Sequence, residues 1–225
     1  MLRAKARRLI SWRLLAAAAL AVPALAQEPA AKEKSKDLYP DFLSMKEASR
    51  EGKDYRVRFE DRKSSVTVFA IHGGNIEPGT SQGALAVAGS DWNYYLFECP
   101  RSFKKCRRLH VTASHFDDPA AVALATSSVL AVSVHGARDM VESVCVGGAN
   151  AAKRASMVKS LTEAGIPANE PCRRLPGSGP RNIVNRSQQA GVQLEVSAPL
   201  CRKLEKDVSF RQAFGGAVRR GLEAP

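Results

Sequence analysis

Residues 65–81 read SVTVFAIHGGNIEPGTS, and the fold turns on how this stretch is read. Residues 66–71 are a short, largely apolar run rich in β-branched side chains, the length of a buried strand and too short for a helix. The run stops at His72, two glycines follow, and Glu77 stands five positions beyond the histidine. Gly73 and Gly74 permit a tight backbone path that bulkier residues would hinder. Pro78-Gly79-Thr80-Ser81 then punctuates the loop and offers an N-cap for a helix over residues 82–88. An imidazole and a carboxylate on one loop past a buried strand make half of a metal site. Both ligate zinc at about 2.0–2.2 Å, and a catalytic zinc takes three such ligands plus water.

The other half lies further along. Residues 129–134 form a second continuous apolar run, and it too ends in His-Gly, at His135-Gly136. In open α/β sheets, sites gather outside the carboxyl ends of the strands. His72 and His135 therefore share a site if their strands are neighbours, and with Glu77 they complete a His2Glu set with an open fourth position. The competing reading has each histidine capping its strand through a hydrogen bond. Zinc chemistry on an amide also needs a carboxylate to take the water's proton and pass it on. Residues 191–197, GVQLEVS, alternate, with Val192, Leu194 and Val196 on one face and Gln193, Glu195 and Ser197 on the other. A strand carboxylate without a partner is costly. Glu195 is accordingly the candidate general base, and a buried ion pair with an arginine is the alternative.

Around these runs the pattern alternates strands with helices. Residues 55–59 read as an edge strand, and 94–99, 109–112 and 144–146 as further strands. Asp118-Pro119 opens a helix running to about residue 127. Helical spacing recurs over 150–164, 199–206 and 209–220. This order implies one α/β domain over residues 51–225, a mostly parallel, mixed sheet with helices on both faces.

The first 26 residues read as a secretory leader. Arg3, Lys5, Arg7, Arg8 and Arg13 precede an apolar core over 14–25, too short to span a membrane, and Ala24-Leu25-Ala26 supplies the cleavage signal. Arg7-Arg8 hints at twin-arginine export, but the residues after the pair fit that signal poorly. The expected product is exported, periplasmic or secreted, with no membrane span. Residues 27–50 are expected to be a flexible lead-in, with a loosely packed piece or a short helix over 38–50. Removing the five leader charges lowers the formal net charge from +12 to +7. A basic exported protein suits polyanions, although the surface charge also serves solubility, and no aromatic-interleaved basic motif points to nucleic acid. Five cysteines in an exported chain imply disulfides with one left over. Cys99 and Cys106 make the most economical pair, Cys172 with Cys201 a second, and Cys145 reads as a buried thiol.

The blocks AIHGGNIEPGTS, YYLFE, LHVTASHFDDP, VSVHG, VGG, LPG, NIVNR and GVQLEVS resemble the phage-type poly-γ-glutamate hydrolases, from about residue 54 to 202. The resemblance implies a carboxypeptidase-like α/β fold, zinc on His72, Glu77 and His135, and Glu195 as general base. It implies further that Asn182, Asn185 and Arg186 contact a substrate carboxylate, which a guanidinium grips bidentately; a loop-tethering bond is the other reading of Arg186. His115 is expected to line the cleft, and His110, on an alternating strand, to be structural or to support a ligand. The chain departs from the family pattern at Gln82, where an acidic residue is usual, and at NIVNR, where a central cysteine is commoner. The implied partner is a glutamate-rich acidic polymer or peptide. A γ-D-glutamyl link of peptidoglycan, or binding of an anionic polymer without catalysis, are the alternatives.

Overall fold

The computed structural model describes residues 37–224; the expected leader, and the lead-in up to residue 36, lie outside them. The strands are β1 (Arg56–Glu60), β2 (Val66–Gly74), β3 (Asn93–Cys99), β4 (Leu130–Ala137), β5 (Val144–Gly147), β6 (Ala168–Asn169) and β7 (Val192–Ser197). They form one sheet in the order β1-β3-β2-β4-β7-β5-β6. The centre, β3-β2-β4-β7, is parallel, while β1 and β5 join it antiparallel. The expected mixed, mostly parallel sheet is present, and β2 and β4 are paired neighbours.

The helices are α1 (Phe42–Glu47), α2 (Thr80–Ala88), α3 (Phe103–Cys106), α4 (Pro119–Ser127), α5 (Ala151–Glu163), α6 (Ala198–Lys206) and α7 (Val208–Glu223). Alternation along the strands divides the core in two. Val68, Val132, Val134, Leu194 and Val196 face α2, α5, α6 and α7, whereas Phe69, Ile71 and Ala131 face α1 and α4. His135 and Glu195 have the opposite parity to Val134 and Leu194, so they leave the first core and open on the other face. Among the described residues no helix is long and apolar enough to cross a membrane.

Four expectations are corrected. The segment 37–50 is built into the fold rather than a flexible lead-in, and the short helix allowed for over 38–50 is present as α1: Asp41 caps it by accepting from the Ser44 N–H, and Phe42 and Met45 are fully buried. Phe42 packs on Phe97 and Phe116, at ring centroid distances of 5.4 and 4.8 Å. Residues 109–112 are not a strand; Leu109 closes the 3-10 turn Arg107–Leu109, residues 110–112 lead to a second one, Ala113–His115, and the Val111 carbonyl accepts from a histidine instead of a ladder partner. His110 is thus on a loop. Cys145 is no free thiol: it is bonded to Cys172, with Cα atoms 5.1 Å apart. Cys201 is the free cysteine, because α6 turns it into the core, where burial pushes its thiol up to about 12. Cys99 and Cys106 are joined as expected.

Candidate functional site

The end of β2 makes a turn that needs glycine. Gly74 has φ of 63°, and a Cβ there would lie 2.5 Å from the Cys99 carbonyl oxygen. The chain then folds back on itself, with the Glu77 N–H donating to the His72 carbonyl at 2.9 Å. Thr80 Oγ1 donates to the Glu77 carbonyl at 2.8 Å and holds the return. Glu77 therefore reaches over the end of β4, where the Gly136 N–H donates to its Oε2 at 2.8 Å.

Three donor atoms converge there. His72 Nδ1 is 3.0 Å from Glu77 Oε1, His135 Nδ1 is 3.6 Å from Glu77 Oε2, and the two Nδ1 atoms are 3.1 Å apart. Ligands at 2.0–2.2 Å around a tetrahedral ion stand about 3.3–3.6 Å from one another. The trio is close to the spacing a cation requires, and both imidazoles are buried. The proton inventory points the same way. His72 Nε2 lies 2.9 Å from the Val111 carbonyl, a bond only an Nε2–H can make. Its Nδ1 lies 3.0 Å from a carboxylate oxygen, a spacing that needs a proton or a cation between the two atoms. Two imidazoles and a carboxylate are a donor set that borderline-soft divalent ions accept.

Electrostatics couple the trio. Burial resists ionisation of Glu77, yet His72 and His135 hold its carboxyl far below the ordinary range. Burial likewise disfavours the His135 cation, but the Glu77 carboxylate beside it and the charge of Glu195 raise it above its ordinary value. His110 stacks on His72 with ring centroids 4.0 Å apart and brings Nε2 to 3.9 Å from Glu77 Oε1. Asp37 anchors it, accepting from His110 Nδ1 at 2.6 Å and from the Thr112 N–H at 2.7 Å.

Glu195 enters from β7. The β4–β7 register sets it beside His135, and the β5–β7 register sets it opposite Cys145. Its Oε1 accepts from Gln193 Nε2 at 2.8 Å, and Gln193 Oε1 in turn accepts from Asn182 Nδ2 at 2.7 Å. Burial pushes the Glu195 carboxyl up to about 7, against the pull of His135. A carboxyl poised near neutrality can take up and return a proton at ordinary pH. A cavity of about 160 Å³ opens beside it. A larger one, about 300 Å³, lies against Phe42 and Tyr55 and touches none of these residues.

The expected site residues fall into two groups. His72, Glu77, His135 and Glu195 gather at the strand ends. Asn182 is buried and linked to Glu195 through Gln193. Asn185 bonds the loop itself, its Nδ2 donating to the Gly177 and Gly179 carbonyls at 2.7 and 2.8 Å, and Arg186 Nε donates to the Arg181 carbonyl at 3.2 Å. His115 ends the 3-10 turn Ala113–His115, and its buried Nδ1 has no hydrogen-bond partner among the described residues. Gln193 is the residue the sequence reading passed over. Its signal was present, since it shares the Glu195 face of an alternating strand.

Comparison with known proteins agrees with this architecture. The family model described as Poly-gamma-glutamate hydrolase matches residues 39–214. UPF0714 protein YndL of Bacillus subtilis (strain 168) is 34% identical over 173 residues, covering 76% of this chain and 68% of the relative. The solved structure of a bacteriophage poly-gamma-glutamate hydrolase superposes with a TM-score of 0.76 at 31% identity, covering 82% of this chain and 96% of that one. A structure of YndL described as apo and zinc-free gives the same TM-score of 0.76 at 30% identity, covering 84% and 98%. From Tyr39 to Phe214, then, both sequence and fold give one answer: the chain belongs to the poly-gamma-glutamate hydrolase family.

Proposed function

We propose that this protein is an exported zinc-dependent hydrolase of the γ-glutamyl amide bonds of poly-γ-glutamate, with His72, Glu77 and His135 as metal ligands and Glu195 as general base. The observation that carries the reading is the convergence of the three donor atoms, 3.0 to 3.6 Å apart, with Glu195 on the neighbouring strand in register with His135. Family membership supports the substrate, and a relative described as zinc-free in its apo form supports the metal.

Zinc held by these ligands supplies Lewis-acid polarisation of the amide carbonyl and makes water a stronger acid. The protein's residues do the rest. Val111 fixes the His72 tautomer and Gly136 fixes the Glu77 carboxylate, so the ligands are oriented before the metal arrives. Glu195 takes the proton from the attacking water and returns it to the leaving amine nitrogen as the C–N bond breaks. Gln193 holds that carboxylate in line. Export is supported by the leader composition and by two disulfides, which persist in oxidising compartments.

The test is hydrolysis of poly-γ-glutamate by the mature protein, followed as loss of polymer length, against Glu195→Gln. The variant should lose at least about 100-fold in rate while still binding zinc. Equal activity in the two proteins would remove Glu195 from the mechanism. Peptidoglycan fragments with γ-D-glutamyl links, assayed in parallel, separate the polymer from that rival substrate.

A further inference from the structure

Among the described residues, the cavity beside Glu195 has one basic residue on its walls, Arg174. Glu195 and Arg174 both line it, with Asp139, Asn169 and the Cys145–Cys172 crosslink among the other walls. Arg174 is placed by a short covalent path. Glu195 is the register partner of Cys145, Cys145 is bonded to Cys172, and Arg174 follows two residues later. The Cys172 N–H also donates to the Val146 carbonyl at 3.0 Å, tying this loop to β5. The guanidinium is thus held within electrostatic reach of the Glu195 carboxylate without closing on it. Its present partner is Asp139, an ion pair exposed to solvent on both sides.

This rests on the hydrolase reading above and deepens it. In a γ-linked polymer the carbon bearing each amide nitrogen also carries a free carboxylate. In an α-linked polymer that carbon carries the next amide, and the carboxylate sits at the far end of a two-methylene side chain. A fork of N–H donors beside the reacting amide can tell the two apart, because a guanidinium matches a carboxylate bidentately. We propose that Arg174 is the specificity-determining residue of the site, binding the free α-carboxylate next to the scissile amide, and that Asp139 stands in for that carboxylate in the unliganded protein. Exchanging one exposed carboxylate partner for another costs little, since an exposed ion pair contributes little to stability.

Titration calorimetry of poly-γ-glutamate into the Glu195→Gln protein, with and without Arg174→Ala, reads the contact without turnover. Affinity should fall about 10- to 100-fold on losing the charged hydrogen bonds. Arg173→Ala, at an exposed neighbour outside the cavity walls, should change it by less than about threefold. In the otherwise wild-type protein, Arg174→Ala should lower kcat/KM on the γ-linked polymer by the same order. It should barely alter kcat/KM on a polymer whose α-carboxylates have been converted to amides. Equal losses from both arginine variants would mean that net charge alone attracts the polymer, and would overturn the proposal. Undiminished binding with Arg174→Ala, or no binding to the Glu195→Gln protein at all, would overturn it too. Binding that depends on Arg174 in a protein that hydrolyses nothing would keep the subsite and remove the hydrolase reading.

Discussion

The Gly136 N–H donates to Glu77 Oε2 at 2.8 Å, and a Cβ on Gly136 would come within 3.0 Å of the Glu77 Cβ. The glycine after His135 therefore gives the Glu77 carboxylate both a donor and the room to lie over the strand end. Gly136→Ala forces one of the two to shift. Expected are a stability loss of about 1–3 kcal/mol and a zinc affinity lower by about 10- to 100-fold. Urea unfolding and competition against a chelator measure them. Unchanged zinc affinity would show that Glu77 does not need its perch.

Glu195 is costly to the metal-free fold. Burial raises its carboxyl from the ordinary value to about 7. An acid with a raised folded pKa is penalised when it ionises, so this group's contribution worsens as pH climbs from about 4.5 to 7 and stays unfavourable above. Glu195→Gln removes the charge and keeps an oxygen able to accept from Gln193. In the presence of chelator the variant should be more stable than wild type at pH 8 by on the order of 2 kcal/mol, with the gap closing towards pH 5. Denaturant unfolding at the two pH values reads this directly. A variant less stable at pH 8 contradicts it.

Glu98 works with the opposite sign. It is buried on β3 and accepts from Arg58 Nε and Nη2 at 2.9 and 3.0 Å and from Arg56 Nε at 2.9 Å. Burial raises its pKa, but the Arg58 hydrogen bonds, with others, outweigh that and leave it lowered. Its contribution is present above the unfolded carboxylate value and is lost as pH falls through the folded one. Glu98→Gln should flatten the acid side of the stability profile and leave the alkaline side parallel to wild type. An unchanged acid limb in pH-dependent thermal melts would exclude it.

The Asn182–Gln193–Glu195 chain predicts a shift in a pH profile. The Gln193 hydrogen bond favours the ionised Glu195. Gln193→Met removes it, so the acid limb of kcat/KM should move to higher pH, with kcat down about tenfold where the base is fully ionised. Loss of activity with no shift of the limb would assign Gln193 a packing role instead.

Much of this site was legible because its chemistry sits on strands. The runs ending in His72 and His135 are continuous and apolar, and a parallel central sheet demands such runs. Once they pair, the strand ends are neighbours by necessity. Glu195 was legible from period-two alternation alone. Contacts that depend on loops were not. Cys145 and Cys172 are 27 residues apart, and their pairing requires β5 to run antiparallel beside β7, which no local pattern announces. Residues 109–112 alternate as a strand does, yet the Val111 carbonyl is taken by His72. Asp37 follows a stretch rich in alanine, lysine and glutamate that reads as linker, and only the folded chain shows it gripping His110.

His72, Glu77 and His135 are proposed to hold one catalytic metal ion. Elemental analysis of the purified mature protein, followed by chelation and zinc readdition with poly-γ-glutamate as substrate, decides whether they do. Expected are about one zinc per chain, activity lost on chelation and regained with zinc, and neither zinc nor activity in His72→Ala or His135→Ala. A chelated protein free of metal that still shortens the polymer at the wild-type rate would rule out a catalytic metal on these three residues.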